Sequence, residues 1–541
     1  MNSGRFTWFL FFILKAAVLS PVFLASSRGF AQTQTADMGP IGAVIAALLP
    51  YTNEELLKSP DKFFTKIATD DATGDLQNIV DQVGDQLQLA PAFQGKLTDE
   101  GLAQYKQLAL HALRSQAAVM GKSSPVFSPA YMSWEAGQAV IDEELKKAPD
   151  RRSPYLSGIR AYYDRIKPLS DAVDSFRVRE ELIKKAQSSV DLVVWALYGD
   201  ATGFRFAKLL IDSHKTLTDQ GKRGVRVIVD GQTSQRPGYS EAVALLKKNS
   251  VPVVEWTAPK GQNPFFGQHQ KYLIIDDRDV VAGGRNFGTA YSHESVTDPK
   301  GKWVDFDFLM SGGDIGYQLE KLFFAEWNRS VPKGRRAVFK LIPPSLRSGK
   351  TTLKSLTIFK HDPVHVPYDS IYFAHLDAIK NAKKEILIEN AYVILTPSLK
   401  EALRSAIKDR KIPVTIHTNS MESVDEPIVS YPIFRSALEL GQMGAKVCLK
   451  KGATLHSKNM VVDQKLVLTG SYNLHPRSYR LENEIAFELY SESFAKIRAK
   501  EIEKSCNEAT PLESLGELDP LWISTMNPQH EWVKKFFFDI L

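Results

Sequence analysis

The spacing of hydrophobic and polar positions changes along this chain. Between residue 36 and about residue 170, apolar residues recur every three or four positions, as in the run 102–120, which predicts helices. From about residue 171, short apolar runs alternate with longer helical patterns. Short apolar runs bounded by polar turns predict buried strands, and their alternation with helices predicts an α/β fold.

The predicted elements of this second part occur twice in the same order. In each half a strand, a helix and a strand are followed by two further strands around a polar turn. The first half has strands over 190–194, 225–229, 272–275 and 280–282 and a helix over 204–218; the second has strands over 385–388, 414–416, 459–462 and 466–468 and a helix over 398–407. Residues 343–349, rich in proline and serine, form a linker between them. The pattern predicts an internal duplication of one α/β domain.

These patterns divide the chain into a signal peptide over residues 1–31, a helical region over 32–170, and two α/β domains over 171–345 and 346–541. The first part has Arg5 before two apolar runs and a small-x-small cleavage site ending at Ala31. The alternative is an uncleaved anchor. Lys15 interrupts the apolar segment, and neither run reaches the ~20 residues that span a bilayer. We therefore expect export to the periplasm or the medium, with peripheral contact to a membrane.

Charge and cysteine content narrow the function only slightly. The formal net charge of the 541 residues is +6, and removing residues 1–31, with three basic residues and no acid, reduces it to +3. So mild a balance disfavours a nucleic-acid-binding protein, whose domains concentrate basic residues on one face. Cys448 and Cys506 could form one disulfide in an exported protein or remain separate buried thiols.

The strongest chemical signal is a motif that occurs once in each half. It consists of a histidine, a lysine two residues later, an aspartate seven residues after the histidine, and an asparagine ten residues after the aspartate. These residues are His269, Lys271, Asp276 and Asn286 in the first half, and His456, Lys458, Asp463 and Asn473 in the second. Coincidence does not account for the same spacing twice in one chain.

The spacing has a direct physical meaning. Residues two apart in a strand point to the same face, so each histidine and its lysine face one pocket. Two packed halves would then surround one phosphodiester with lysine and amide donors, which stabilise a five-coordinate transition state. One imidazole would attack phosphorus while the other protonates the leaving oxygen. We expect no metal or other cofactor, because the lysines already supply positive charge.

Other residues near the motifs receive supporting roles. Asp276 and Asp463 lie at turns and are assigned a structural part, whereas Gly284 and Ser471, two residues before the asparagines, are assigned to substrate binding. An attacking imidazole also needs a hydrogen-bond acceptor that orients it. The candidates are Glu484 in the second half and Asp307 in the first, with Asp305 as a competitor on the same strand face; surface exposure is the alternative for each acid.

The motifs resemble those of the phospholipase D superfamily over roughly residues 175–500, and most of all those of bacterial cardiolipin synthases that lack two N-terminal transmembrane helices. The supporting segments are 283–288, 303–307, 418–425 and 473–478. The resemblance implies two phospholipase D-like lobes with one active site at their interface, a phosphohistidine on His269, and His456 as acid and then base. It also supports Asp307 and Glu484. The chain departs from the synthase branch at Ala290, where an acid commonly precedes the tyrosine.

Motifs and resemblance together predict an enzyme that transfers phosphatidyl groups or hydrolyses phospholipids outside the cytoplasm. We expect a phospholipid substrate at a membrane surface, a small alcohol or water as acceptor, and no obligate protein partner. Residues 531–541 combine aromatic residues with lysines, which is typical of an interfacial helix or of a helix docked on the body. The alternatives are a secreted nuclease of the same superfamily, which would need a basic groove, and a non-catalytic binding protein, which two intact motifs disfavour.

Overall fold

The computed structural model describes residues 158–259, 266–331, 353–364, 369–420, 422–425 and 427–512. The predicted signal peptide, most of the predicted helical region, the linker over 343–349 and the segment 531–541 lie outside these residues. Within the described ranges, no helix combines the length and the hydrophobicity that a membrane span requires.

Strands and helices alternate along both halves. The first half contains β1 (Ile159–Tyr163), β2 (Arg165–Leu169), α1 (Ala172–Lys185), β3 (Ser189–Val194), α2 (Ala201–Asp219), β4 (Gly224–Asp230), α3 (Ser240–Lys248), β5 (Val253–Trp256), β6 (Gly267–Gln268), β7 (Tyr272–Ile275), β8 (Asp279–Gly283), α4 (Thr289–Ser292), β9 (Asp307–Ser311) and α5 (Ile315–Ser330). The second contains β10 (Lys354–His361), α6 (Ser370–Asn381), β11 (Ile386–Asn390), α7 (Pro397–Arg404), β12 (Val414–Asn419), α8 (Pro427–Met443), β13 (Lys446–Lys450), β14 (Lys458–Val462), β15 (Leu466–Gly470), α9 (Pro476–Leu481), β16 (Glu482–Tyr490), α10 (Glu492–Asn507) and β17 (Thr510–Pro511).

In the described part of the chain the strands form two mixed sheets with the same internal order. One sheet runs β2-β9-β8-β7-β3-β4-β5, and the other runs β1-β10-β16-β15-β14-β11-β12-β13-β17. In each, three parallel strands (β3, β4 and β5, or β11, β12 and β13) continue into antiparallel strands that include the histidine motif. The predicted α/β fold class with two duplicated lobes is confirmed.

One part of the predicted helical region is wrong. Residues 159–169 form β1 and β2, which pair with β10 of one sheet and β9 of the other. Ala161 and Tyr163 are both fully buried, and this two-residue period is that of a strand. Pairing with partners more than a hundred residues away decided the conformation, and such pairing overrides local propensity.

The central strands owe their position to continuous apolar runs. Every residue of β3 and of β4 is buried, as expected of parallel strands that are covered on both faces. Each fully buried valine or leucine contributes ~1.5–3 kcal/mol to stability. The helix α2 covers this sheet, and the side chain of Asp200 caps its first turn by accepting a hydrogen bond from the backbone N–H of Gly203 at 2.9 Å.

Both motif hairpins turn at their aspartate. Asp276 and Asp463 adopt φ angles of 52° and 54°, and each is followed by a second residue with positive φ, as in a type I′ turn. Their carboxylates accept hydrogen bonds from the backbone N–H groups of residues 187–189 and 383–385 respectively. Each aspartate therefore ties its hairpin to the segment that leads into β3 or β11, away from the histidines.

Aromatic side chains fill the contact between the two halves. Phe308 of β9 lies edge-on to Phe487 of β16 at 5.2 Å between ring centroids. Phe494 of α10 packs against Phe306 and Phe308 at 6.1 and 6.2 Å. Such aromatic pairs contribute ~0.5–1.5 kcal/mol each beyond the area that they bury.

The two cysteines are paired. Cys448 of β13 and Cys506 of α10 form a disulfide, with 5.2 Å between their Cα atoms. Of the two alternatives that the sequence left open, the structure contains the bonded one. The bond ties the last long helix of the second half to its sheet.

Candidate active site

The two histidine motifs meet at the seam between the halves. His269 lies between β6 and β7, and His456 lies two residues before β14, so each histidine precedes a strand of its own sheet. The backbone next to each motif pairs with the opposite half, since β6 pairs with the start of β16 and Leu455 forms a bridge with Val304. The two histidines are only 7% and 5% exposed. The motifs therefore share one buried site.

Each histidine ring is held by an acid from the opposite half. The Nδ1 atom of His269 lies 2.9 Å from Oε1 of Glu484, and the Nδ1 atom of His456 lies 2.7 Å from Oδ2 of Asp305. The backbone N–H of each histidine also donates to the carbonyl of the residue just before that acid, at 2.9 and 2.7 Å. One opposing segment thus fixes both the backbone and the ring, so neither half can orient its own histidine.

Two predictions about the orienting acids are wrong. The sequence predicts that each acid orients the histidine of its own half, whereas in the structure each acid contacts the histidine of the opposite half. The sequence-based choice of Asp307 over Asp305 is also wrong, because the Asp307 carboxylate pairs with the guanidinium groups of Arg179 and Arg285, each at 2.9 Å. The two aspartates are two residues apart, so strand alternation could not separate them. The two aspartates are distinguished by the arginine partners of Asp307, of which Arg179 is distant in the sequence.

Glu482 is a second acid beside His269 that was not predicted from the sequence. Its Oε2 atom lies 3.6 Å from Nδ1 of His269, and its Oε1 atom accepts a hydrogen bond from Arg477 at 2.7 Å. Burial raises the pKa of Glu482, but its interactions with His269 and Arg477 outweigh burial and hold that pKa far below its usual range. Burial and then the charge of Glu482 raise the pKa of Glu484. The pair therefore favours a single negative charge, mainly on Glu482. The sequence contained a sign of this role, because residues two apart in a strand lie on the same face, so Glu482 was expected to lie beside Glu484.

Gly284 and Ser471 occupy equivalent positions, and the structure gives them a different part from the predicted substrate binding. The hydroxyl of Ser471 donates to Glu484 and accepts from the backbone N–H of Ile485 at 3.0 Å. A Cβ atom on Gly284 would lie 2.2 Å from Oδ1 of Asp305. In each half this position serves the orienting acid, since the glycine leaves room for an aspartate and the serine donates to a glutamate.

The two motif lysines lie under the histidines. Each ammonium group donates to the backbone carbonyl of the histidine two residues earlier. Burial lowers the pKa of Lys271 to about 7, with a further lowering from the charge of Lys458, and burial lowers the pKa of Lys458 to about 8. The lysines are therefore close enough to repel each other, and an anion bound between them would favour their charged forms.

The environment keeps both histidines neutral. Burial, followed by the charge of the neighbouring lysine, lowers the pKa of His456 to about 4 and moves the pKa of His269 well below its usual value. The nearby carboxylates oppose this shift without outweighing it, although their distances are those of ion pairs. A neutral imidazole whose Nδ1–H donates to a carboxyl oxygen carries its lone pair on Nε2. That tautomer is the one a nucleophile requires.

The asparagines differ in what they contact. The side-chain amide of Asn286 donates to the hydroxyl of Tyr291 at 3.0 Å and accepts from the backbone N–H of Ala196 at 3.3 Å. Asn473 is buried, and its side-chain oxygen has no hydrogen-bond partner among the residues that the structure describes. Its backbone N–H donates to Ser478 at 3.3 Å. Of the two amides, that of Asn473 is the one left with bonding capacity for a ligand.

One group of residues in the described ranges has the composition of a metal site. His269, Glu482 and Glu484 each place a potential ligand atom within 4.8 Å of the others. His269 already forms a hydrogen bond with Glu484, and the two acids also accept hydrogen bonds from Arg477 and from the hydroxyls of Ser471 and Ser478. The group is thus engaged as a hydrogen-bond network that orients an imidazole, and the expectation that no metal or cofactor is needed stays a prediction.

Comparison with known sequences finds relatives that match large parts of the chain. The family described as cardiolipin synthase, PLD-like domain, matches residues 375–506. An uncharacterized protein of Helicobacter pylori (strain ATCC 700392 / 26695) is 25% identical over 440 residues, which are 66% of this chain and 84% of that protein. A cardiolipin synthase of Staphylococcus aureus (strain Mu50 / ATCC 700699) is 25% identical over 319 residues, which are 59% of this chain and 57% of that protein. The match thus spans little more than half the length of that synthase.

A solved structure has a fold similar to that of most of this chain. It is a phosphatidylserine synthase of Haemophilus influenzae Rd KW20, with a TM-score of 0.52 and 15% sequence identity. The similarity covers 70% of this chain and 97% of that one. At this level of identity the similarity shows the fold.

Proposed function

Because the chain belongs to the phospholipase D superfamily and is similar to cardiolipin synthases, we propose that it cleaves or exchanges the head-group phosphodiester of phospholipids through a phosphohistidine intermediate. The observation that carries this proposal is the crossed pair of histidine–acid contacts, at 2.9 and 2.7 Å, which unites both His-Lys pairs in one buried cluster. A diester with one negative charge complements two lysines whose pKa values are lowered by burial.

We assign His269 as the nucleophile. The pKa of its imidazole is lowered well below the usual value, so Nε2 keeps its lone pair at neutral pH. Nε2 attacks phosphorus and forms the P–N bond, while the P–O bond to the head group breaks. The leaving oxygen takes a proton from Nε2 of His456, so that a neutral head-group alcohol departs.

The surroundings of His456 suit the acid. Burial raises the pKa of Asp305, but its interactions with His456, Lys458 and Arg285 outweigh burial and lower that pKa. An ionised aspartate at Nδ1 stabilises the imidazolium form of its histidine. The substrate phosphate adds a second negative charge beside the ring, which raises the pKa of His456 when the lipid binds.

The second step reverses the proton transfer. His456, now neutral, takes a proton from water or from a small alcohol whose oxygen attacks phosphorus. The P–N bond breaks and His269 regains its lone pair. Water yields phosphatidic acid, and an alcohol yields a phospholipid with an exchanged head group. Throughout, Lys271 and Lys458 offset the charge on the non-bridging oxygens.

We further propose that the enzyme acts after export, at a membrane surface and without an obligate protein partner. The N-terminal pattern of Arg5, two apolar runs and a cleavage site supports export. The disulfide between Cys448 and Cys506 is also in keeping with an oxidising compartment, where such bonds persist.

The decisive experiment is mass spectrometry of the lipids and soluble products after the full-length protein is incubated with phospholipid vesicles. The vesicles contain phosphatidylglycerol and phosphatidylethanolamine, with and without added glycerol. Cardiolipin or an exchanged lipid would establish transfer, and phosphatidic acid with free head group would establish hydrolysis. Either result supports the proposal if His269→Ala abolishes it.

A matched control separates chemistry from folding. His214 lies on α2 and contacts the backbone N–H of Val225, far along the chain from either motif. We expect His214→Ala to keep its activity per folded molecule. Intact lipid in every sample, together with cleavage of single-stranded DNA by the wild type, would replace the lipid function with the nuclease alternative.

A further inference from the structure

A network of buried polar side chains lies behind the second histidine motif. Ser457 stands between His456 and Lys458, and alternation along the extended chain turns its side chain to the opposite face. There its hydroxyl donates to Oε1 of Glu389 on β11 at 2.7 Å. The guanidinium group of Arg498 on α10 donates to the same oxygen atom at 2.8 Å. One carboxylate therefore connects the motif to helix α10.

Glu389 is ionised in this network. Its second oxygen, Oε2, lies 3.2 Å from Nδ1 of His417 on β12. Burial raises the pKa of this carboxyl, but the contacts with His417 and Arg498 outweigh burial and lower its pKa to about 2. Glu389 and Arg498 are both buried, so solvent ions screen the attraction between them only weakly.

Arg498 also reaches the first half of the chain. Its guanidinium group lies over the ring of Phe306, 4.0 Å from the ring centroid. The backbone N–H of Phe306 donates to Oδ1 of Asp305 at 2.7 Å, and Oδ2 of the same carboxylate contacts Nδ1 of His456. Arg498 therefore packs against the residue that holds the orienting acid.

A further contact of Arg498 leads to the backbone of that acid. Arg498 donates to Glu501 on the next turn of α10, and both oxygens of Glu501 lie 2.8 Å from the hydroxyl of Ser170. The backbone carbonyl of Ser170 accepts from Arg285, which also donates to the carbonyl of Asp305 at 2.6 Å. One arginine thus stands behind both partners of the contact between acid and histidine.

The equivalent strand position of the first half is apolar. Val193 of β3 pairs with Tyr272, the residue after the first motif lysine. In the same way, Glu389 of β11 pairs with Asn459, the residue after the second motif lysine. A valine therefore occupies the position at which the second half has its buried acid. Because the duplicated fold forms without a carboxylate there, the acid serves something other than the fold, and the histidine beside it is the nearest candidate.

We infer that Glu389 and Arg498 are positioning residues for the acid–base function of His456. The inference rests on the proposed function and deepens it. Glu389 acts through the serine next to the histidine, and Arg498 acts through the phenylalanine next to the orienting acid. A general acid must hold its proton in line with the leaving oxygen, and a displacement of about 1 Å costs on the order of 10²-fold in rate.

The leaving group distinguishes this role from a general loss of structure. A head-group alcohol needs a proton from His456 to depart, whereas p-nitrophenol departs as an anion without one. The test measures two rates of the full-length protein in otherwise identical vesicles. One is the single-turnover release of head group from phosphatidylglycerol or phosphatidylethanolamine, whichever the wild type cleaves faster. The other is the burst of p-nitrophenol from a lipid with a p-nitrophenol head group.

The two variants of the network should affect these rates differently. Ser457→Ala and Arg498→Met should each slow head-group release by about tenfold or more, because the acid is no longer aligned. They should change the p-nitrophenol burst by less than about twofold, because the nucleophile is unaffected. If Arg498→Met does not fold, Ser457→Ala decides the question alone, since it removes one hydroxyl group.

Arg226→Met is the matched control for the loss of a buried arginine. Arg226 is also buried, donates to the carboxylate of Asp191 on the neighbouring strand at 2.5 Å, and lies over the ring of Phe324 at 4.6 Å. These contacts all lie within the first half. We expect Arg226→Met to be destabilised as Arg498→Met is, but to keep both rates per folded molecule.

The outcomes separate the inference from the function on which it rests. If the wild type cleaves neither kind of lipid, the proposed function itself is wrong. If the wild type cleaves both, but the folded network variants slow the two rates equally or leave both unchanged, the enzyme stands and the positioning role is refuted. A selective loss of head-group release in Arg226→Met would refute it as well.

Discussion

Asp305 of the first half lies 2.7 Å from the Nδ1 atom of His456 of the second half. Glu484 of the second half contacts His269 of the first in the same way. Each half therefore supplies the acid that orients the histidine of the other half, and the active site requires both halves. If each half oriented its own histidine, the orientation of the rings would not depend on how the two halves pack against each other. The crossed pairing couples the chemistry to the packing of the two lobes.

The crossed pairing predicts opposite phenotypes for two aspartates that are two residues apart. Asp305→Asn removes the charge that stabilises the imidazolium form of His456, so we expect kcat to fall by about 10²–10⁴-fold with little loss of stability. Asp307→Asn instead leaves Arg179 and Arg285 buried without their counter-charge, which should lower the free energy of unfolding by about 3–5 kcal/mol. Lipid turnover and thermal unfolding, measured on both variants, check this division. Equal losses of kcat in the two folded variants would contradict it.

Most of the fold could be predicted from the sequence because its signals are local. The apolar runs that gave the strands over 190–194 and 272–275 match β3 and β7 to within a residue, and the duplicated order of elements follows from them. The strands β1 and β2 were missed because they belong to two different sheets. Their partners lie far away in the sequence, and no local pattern records such partners.

The residues of the site could likewise be predicted where the sequence signal is local, and could not where it depends on distant contacts. The spacing of histidine and lysine is local, and it identified both motifs. The choice between Asp305 and Asp307 depends on which one meets an arginine, and the crossing of acids depends on how the halves dock. The spacing of Glu482 from Glu484 can be read from the sequence, but the role of Glu482 follows only from its contact with His269.

The assignment of His269 as nucleophile predicts a trapped intermediate. His456→Ala lacks the acid that a poor leaving group requires, but a lipid with a p-nitrophenol head group needs no protonation. We expect this variant to release about one equivalent of p-nitrophenol in a burst and then to stall, because it also lacks the base for the second step. Mass spectrometry of peptides should find the phosphatidyl adduct on His269. A burst in His269→Ala and none in His456→Ala would exchange the two roles.

Ser471 predicts a smaller effect of a different kind. Its hydroxyl donates to Glu484 and favours the charged form of that acid, so Ser471→Ala should raise the pKa of Glu484 further. A hydrogen bond to a largely neutral group contributes about 0.5–1.5 kcal/mol, and we expect kcat to fall by about threefold to tenfold. Ser493→Ala, on an exposed serine at the start of α10, is the matched control. An activity equal to that of the control would mean that Ser471 does not position the acid.

The disulfide predicts a stability that depends on redox conditions. Cys448 and Cys506 are 58 residues apart, and closing a loop of that size removes about 4 kcal/mol of unfolded-state entropy in the chain-entropy account. We therefore expect dithiothreitol to lower the Tm of the wild type but not that of the double variant Cys448→Ser/Cys506→Ser. Scanning calorimetry with and without reductant makes the comparison. An unchanged Tm in the reduced wild type would show that the bond contributes nothing to stability.

The two buried lysines predict that substrate binding and stability respond to pH in opposite directions. Burial lowers the pKa of Lys271 to about 7 and that of Lys458 to about 8, whereas the ordinary value of 10.5 applies to the unfolded chain. The folded protein therefore bears the full cost of two buried charges below pH ~7, and this cost is removed as pH rises toward the unfolded value. The free energy of unfolding of the empty enzyme should rise across that window, because the unfolded state binds more protons.

Substrate binding requires those same protons. As pH rises through the folded pKa values, the lysines lose the charge that attracts the phosphodiester, so KM should rise by about tenfold between pH 7 and pH 9. Lys458→Met removes one of the two charges. At pH 7 its free energy of unfolding should exceed that of the wild type by about 3 kcal/mol, which corresponds to the lowering of the Lys458 pKa from 10.5 to about 8. It should also lose most of its activity. Denaturant titrations test the predicted change in stability, and lipid kinetics at the same pH test the predicted changes in KM and activity. A variant that is less stable than the wild type at pH 7 would mean that the buried ammonium of Lys458 stabilises the empty site, and the pH dependence of KM would then need another origin.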